Sequence, residues 1–205
     1  MEEWEKLLNV MLLSEHSSSK FAALTMLFLG IRFQEVSALT IGDVDFNNRI
    51  VSITKAFDYK KTKAFTKTKS AGSVREVDIP DNLLEILKNY IKSIKCSPKV
   101  ISFDQREVNN KYLFPNEIGI PITNAAINKY IKRCCRIAQI DEVTSHAFRH
   151  AKTDMLVLAG ADMIYTQRQL GHADAKTTLR YYSALNNDIK EKNRTIMNQF
   201  LEDIL

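Results

Sequence analysis

Apolar residues recur at helical spacing from Glu2 to Leu13, which predicts a first helix. A run of serines, Ser17 to Ser19, precedes Phe21, Leu24, Leu27 and Phe28, so one of the three serines caps a second helix and Gly30 ends it. A short helical segment over Phe33 to Leu39 follows. From Val44 to Phe57 the period changes to two: Ile50, Ser52 and Thr54 alternate with Val51 and Ile53, the spacing and β-branched composition of a strand. Three strands fit, roughly Ile50 to Tyr59, Thr62 to Lys67 and Val74 to Ile79, with Gly72 supplying the turn between the last two.

Pro80 and Asp81 open an amphipathic helix with Leu84, Leu87, Ile91 and Ile94 on one stripe and Asp81 as its N-cap. The stretch from Ser97 to Ile122 holds three of the four prolines and reads as irregular connection with a short strand at Tyr112 to Phe114. Thr123 caps the next helix and places Ile127, Tyr130, Ile131 and Cys134 inward. From Ser145 onward the composition is helical, interrupted at Gly160 and Gly171. No internal repeat or linker divides the pattern. It predicts one α+β domain over residues 1–205, mainly helical, with a small three-stranded antiparallel sheet.

Composition narrows this picture. Six glycines and four prolines in 205 residues disfavour turn-rich β architectures. The longest uncharged apolar stretch, Phe21 to Ile31, falls short of the roughly 20 residues a bilayer span needs, and the acidic start, Glu2, Glu3 and Glu5, is unlike a signal peptide, so no membrane partner is expected. Cys96, Cys134 and Cys135 form an odd set without CxxC spacing, which fits a reducing cytosol and no structural zinc site.

The formal charge is +5, from 29 basic and 24 acidic residues, and it is concentrated in two places. Thr54 to Arg75 holds seven basic residues against Asp58 alone, a balance of +6 that includes Lys67, Lys69 and Arg75. Thr123 to Ile137 holds Lys129, Lys132, Arg133 and Arg136 with no acid, a balance of +4. On a helix the spacing of these four gives one basic stripe able to follow a DNA groove. Two basic surfaces on an otherwise acidic body suggest a polyanionic partner, although lysines solvating exposed strands would give the same count.

Three of the four histidines lie between His146 and His172. His146, Arg149 and His150, at i, i+3 and i+4, point to a common side of a helix, placing a guanidinium beside two imidazoles. A guanidinium grips two phosphate oxygens at once, and an imidazole moves a proton near neutrality. A metal-dependent hydrolase using His146, His150 and His172 is the weaker alternative, since HAFRH lacks the glutamate of HExxH. A DNA-binding module without catalysis is another.

Together with Gly30 to Glu35 (GIRFQE) and Thr66 to Pro80, the strings HAFRH, LGH (Leu170 to His172) and TTLRYYSAL (Thr177 to Leu185) resemble, in order and over nearly the whole chain, the catalytic domain of tyrosine recombinases of the phage and transposon integrase family. The resemblance implies a site-specific recombinase of a bacterial mobile element that cuts and rejoins DNA through a 3′-phosphotyrosyl intermediate, without metal, nucleotide or other cofactor. It implies that Arg32 and Arg149 hold the scissile phosphate, that His146 and His172 add hydrogen bonds or proton transfer, and that Lys67, or Lys69 if the register shifts, protonates the leaving 5′ oxygen. Counting from the LGH string selects Tyr182 as nucleophile and leaves Tyr181 to packing or phosphate contact. Glu35 would orient Arg32, and His150 would support the site.

Gln34, Phe148 and Ala184 depart from the usual family residues without removing a reacting group. The implied partner is double-stranded attachment-site DNA, bound by Lys69, Arg75, Lys129, Lys132, Arg133 and Arg136. The implied assembly is a homo-oligomer, tetrameric on DNA and a dimer or monomer alone, in the cytoplasm at the nucleoid. The family's upstream helical domain has no room in this chain, so weak DNA affinity and little recombination are expected of these residues alone. Ile189, Ile196, Phe200 and Ile204 make an apolar stripe in a tail, 186–205, that either folds back or docks on a neighbouring protomer.

Overall fold

The computed structural model describes residues 2–59, 64–67, 74–95, 111–172, 174–184, 194–195 and 197–199. Helix α2 (Ser18–Leu29) lies at the centre of the helical part. Its sequence is apolar on nearly every side, and it is buried accordingly, packed by α4 (Asp81–Lys95), α5 (Asn124–Ala138) and α6 (Ser145–Ala159). Ser17 caps it by accepting the Lys20 N–H, and Gly30 ends it in the left-handed region at φ 67°. Helix α1 (Glu2–Leu13) buries Leu7 and Met11 against α5, on which Ile127, Ile131 and Cys134 face inward and Tyr130 is half-buried. Thr123 caps α5 by accepting the Ala126 N–H.

The expected first strand divides. Val44–Asp45 (β1), Ile50–Ile53 (β2) and Arg75–Asp78 (β5) form one antiparallel sheet, with Val51 opposite both Val44 and Val77. Lys55–Asp58 (β3) and Ala64–Lys67 (β4) form a separate hairpin. The chain changes sheets at Thr54, because Val51 and Ile53 pack into the main core while Phe57 packs with Tyr59, Phe65 and Tyr112. Tyr112 makes an isolated bridge to Thr40 in place of the short strand expected there. Asp81 is the first residue of α4 and receives Arg49 at 2.8 Å, so Pro80 takes the capping position expected of it.

Helix α3 (Phe33–Val36) is shorter than its sequence pattern and leads through a 3₁₀ turn (Ile41–Asp43) into β1. Past α6, helix α7 (Met163–Leu170) ends at Gly171 and α8 (Ala175–Ala184) packs back on both. The apolar tail stripe of Ile189, Ile196, Phe200 and Ile204 lies outside the described residues, as do Cys96, Lys69 and Gly72. No helix among the described residues is long and apolar enough to cross a membrane.

Candidate active site

The ends of four helices meet at one cavity of about 590 Å³, bounded by Arg32, Gln34, His146, Arg149, His150, His172 and Tyr181. Gly30 stops α2 and turns the chain so that Arg32 becomes the N-cap of α3. Glu35, at the third position of that helix, accepts the Arg32 backbone N–H at 2.8 Å through Oε2 and the Arg32 Nη1 at 2.9 Å through Oε1. Its side chain is 4% exposed. An unpaired buried carboxylate would be very costly, and Arg75 completes its shell with a two-pronged contact, Nη1 to Oε1 and Nη2 to Oε2, both at 3.0 Å. Burial pushes the Glu35 carboxyl up, but Arg75 and Arg32 outweigh it and hold the group below its ordinary value.

Arg75 is therefore not the surface DNA contact expected from the charge run. Its side chain is 6% exposed, and its Nε donates to the Gln169 carbonyl at 3.0 Å. The alternation of β5 turns it inward, where it ties the sheet to the end of α7. The lysines of that run in the sequence carry no sign of this role. Lys67 ends β4 opposite Lys55, and its side chain, like all of Lys69, lies outside the described residues.

Arg149 comes from the first turns of α6 and is 7% exposed. Its Nη1 donates to the Gly30 carbonyl at 2.9 Å, whereas its buried Nη2 has no hydrogen-bond partner. Burial and the neighbouring Arg32 and Arg75 push its pKa down to about 9, so it stays cationic at neutral pH. Arg32, with a side chain 43% exposed, sits at the mouth and sends Nη2 to the Gly171 carbonyl at 3.2 Å. Arg32 and Arg75 thus share one carboxylate, Arg149 stands beside them with no carboxylate of its own among the described residues, and a buried donor is left open. An anion with several acceptor oxygens satisfies both conditions.

His172 follows Gly171 and is half-buried, with Nδ1 2.8 Å from the Thr178 hydroxyl. Burial, then Arg149, Arg32 and Arg75, push it down to about 4, so it is neutral near pH 7. With Thr178 donating to Nδ1, the ring proton sits on Nε2 as a donor toward an anion. His146 and His150 are exposed on α6, one turn apart, with their Nε2 atoms 3.1 Å from each other. His150 Nδ1 meets the hydroxyl of Tyr181.

The two adjacent tyrosines of α8 separate here. Tyr181 lines the cavity, within electrostatic reach of Arg149. Tyr182, expected as the reacting residue, faces α7 instead: its hydroxyl donates to the Ala161 carbonyl and lies 3.0 Å from Thr166 Oγ1. Thr178, fully buried, marks the inner line of α8, and the residues three and four positions on flank that line on opposite sides. Only the packing of α8 on α6 and α7 decides which of the two meets the cations.

The basic stripe on α5 is exposed as expected at Lys129, Lys132, Arg133 and Arg136. Glu142 takes up part of its charge, at 2.7 Å from Lys132 Nζ and 3.4 Å from Arg136 Nε. No group of three or more His, Cys, Asp or Glu among the described residues is placed to hold a metal ion, so the three histidines do not form the ligand set of a hydrolase.

The sequence model of the phage integrase family matches residues 1–188. The chain belongs to that family. Among relatives of this integrase-family chain, the integrase of Staphylococcus phage L54a is 27% identical over 181 residues, covering 86% of the chain and 49% of that protein. Tyrosine recombinase XerD of Staphylococcus saprophyticus is 31% identical over 163 residues, covering 79% of the chain and 48% of that protein. The chain spans about half the length of these curated relatives. The Tn1549 transposon integrase, solved with transposon right end DNA, shares the fold at a TM-score of 0.75 and 20% identity, over 96% of this chain and 64% of that one.

Proposed function

We propose that the chain is the catalytic part of a site-specific DNA recombinase, an integrase of a bacterial mobile element, in which Tyr182, ten residues after His172, is the nucleophile and reaches the phosphate by a shift of α8 on DNA, while Tyr181 packs against the site. The observation that carries this reading is the buried, unpartnered Nη2 of Arg149, set in a cluster of three guanidiniums with one carboxylate beside the helix that carries Tyr182. Arg32 and Arg149 bind the non-bridging oxygens of a DNA phosphate, and His172 donates its Nε2 proton to one of them. Charge developing on those oxygens then meets fixed donors that need little reorganisation.

A free tyrosine has a pKa near 10, so about one molecule in a thousand is phenolate at pH 7. Cations at the phosphate favour that form and bring the oxygen to phosphorus in line with the leaving 5′ oxygen. Lys67, the last residue of β4, or Lys69 protonates that oxygen. The phosphotyrosyl ester keeps the bond energy for rejoining, so no metal or nucleotide is required. The partner is double-stranded attachment-site DNA, gripped also by the α5 stripe. Residues 1–205 act as one catalytic domain of a homo-oligomer, tetrameric on DNA, whose tail, 186–205, docks between protomers. The compartment is the cytoplasm, at the nucleoid.

The test is incubation with a nicked duplex bearing the junction between the element and its chromosome. A covalent protein–DNA band is expected that survives EDTA and the Tyr181→Phe change and is lost in Tyr182→Phe. Loss in Tyr181→Phe with retention in Tyr182→Phe overturns the assignment of the nucleophile, and retardation without any covalent species overturns the reaction.

A further inference from the structure

Arg32 is the most exposed of the three guanidiniums. The helix that carries it, α3, is only four residues long, and a single side-chain contact, Nη1 to Glu35, leaves the plane of its fork free to turn. The second restraint is the Gly171 carbonyl, which accepts Nη2 at 3.2 Å from a segment 139 residues further along the chain. Whatever fixes the end of α7 therefore fixes the direction of Arg32. Apolar packing does this poorly: of the residues that α7 buries, Thr166, Gln169 and Leu170, only the last is apolar, while Ile164 and Tyr165 are exposed. Hydrophobic contact is also non-directional, so the register of so short a helix has to be set by hydrogen bonds.

Gln169 supplies them. It is buried, its Oε1 accepts the Asp78 backbone N–H at 3.1 Å, and its Nε2 donates to Asp78 Oδ2 at 2.6 Å. A carboxylate only accepts and a backbone N–H only donates, so the two contacts fix which way the amide points. Among the described residues β5 is an edge of its three-stranded sheet, and the amide closes on that edge as a neighbouring strand would. Tyr165, one turn earlier on α7, donates to the same Oδ2 at 2.9 Å, and the Gln169 carbonyl accepts Arg75 Nε at 3.0 Å. We infer that Gln169 is a positioning residue, whose amide clasps Asp78 and so holds the end of α7 where the Gly171 carbonyl aims the Arg32 guanidinium at the phosphate. Gln169 acts through Arg32 and not on the substrate. The inference rests on the recombinase reading above, in which Arg32 holds a non-bridging oxygen of the scissile phosphate.

Two variants of the full chain test the clasp in the covalent-complex assay with the nicked duplex, run at saturating protein. Gln169→Leu removes both side-chain bonds at similar volume, and Gln169→Glu sets a second carboxylate against Asp78 Oδ2. Each is expected to lower the rate constant of joining about 10-fold or more, since a small misplacement of a group that holds the substrate costs that much. Duplex affinity should stay within about twofold, because only the reacting geometry is disturbed. Adding Asp78→Asn to Gln169→Glu again faces a donor with an acceptor, and should bring the rate constant back to within about threefold of the unchanged protein. In the free chain, hydrogen exchange at the Asp78 amide should quicken in Gln169→Leu. On duplexes whose scissile phosphate carries a methyl group in place of one non-bridging oxygen, the Gln169→Leu deficit should vanish for the stereoisomer that lacks the oxygen gripped by Arg32 and persist for the other. An unchanged rate constant in Gln169→Leu overturns the positioning role, as does a loss confined to the final amount of complex, which is what a merely structural role gives. A Gln169→Glu deficit that Asp78→Asn leaves untouched, or a Gln169→Leu deficit equal on both stereoisomers, overturns it too. Absence of a covalent band from the unchanged protein overturns the recombinase reading, and the positioning role with it, whatever the Asp78 exchange shows.

Discussion

The two groups of basic residues in this chain differ in what surrounds them. On α5, Lys129, Lys132, Arg133 and Arg136 stand in water, with Glu142 across from two of them. Around the cavity, Arg75 and Arg149 are almost completely buried and Arg32 half so, with Glu35 the carboxylate of Arg32 and Arg75 and a main-chain carbonyl the only anchor of Arg149 among the described residues. Exposed charges cost little to hold and contribute little, so the stripe adapts to a partner without being shaped for one. Buried charges are expensive, and an incomplete set persists only because its unmet demand serves a ligand. One surface attracts a polyanion, and the other recognises one phosphate within it.

The sharpest way to break this contrast is to remove the carboxylate. Glu35→Gln leaves Arg75 without its two-pronged partner and is expected to cost about 3–5 kcal/mol of stability in denaturant unfolding. A loss no larger than a surface substitution gives would show that the cluster is not held by Glu35. Arg149→Met is expected to do the opposite to the free protein: removing a buried, half-satisfied cation leaves stability unchanged or raises it by about 0.5–2 kcal/mol, while the covalent complex disappears. Stability falling as far as in Glu35→Gln would mean that Arg149 is structural.

Acid should expose the same cluster through His172. Its folded pKa is depressed to about 4, so between there and its unfolded value near 6.5 the unfolded chain binds a proton that the native chain refuses. Stability should therefore fall as pH drops through that window. His172→Gln should flatten that limb of the unfolding midpoint against pH, and an unchanged limb would count against the assignment. The smallest effect belongs to the stripe. Lys129→Ala should leave unfolding unchanged and reduce the salt slope of DNA binding by about one unit, measured by titration at several salt concentrations.

Much of the helical frame was legible because its signals are local. Ser17, Thr123 and Gly30 act within a turn of where they stand, and the stripe through Ile127, Ile131 and Cys134 needs only a core to face. Arg32, His146, Arg149 and His172 were legible as a set from their order along the chain, and the cavity brings them together. What stayed hidden depended on contacts between distant elements. Nothing near Arg75 signals a carboxylate 40 residues away, and its lysine-rich surroundings point toward solvent. Tyr181 and Tyr182 have the same chemistry at neighbouring positions, and α8 must dock before their roles diverge. The break at Thr54 follows from two cores competing for one alternating segment.

Gly30 and Gly171 each close a helix in the left-handed conformation, and each presents its carbonyl to one of the two arginines at the cavity. The anchor in both cases is main chain at the negative end of a helix dipole, which steadies a cation without contributing a full opposing charge. No ordinary side-chain substitution deletes such an atom. Replacing the glycine itself would displace it instead: a Cβ on Gly171 would fall 2.8 Å from the Arg75 guanidinium, and one on Gly30 would fall 2.6 Å from Leu170. Sequence drift around this cavity is thus constrained most tightly at two residues that have no side chain to lose.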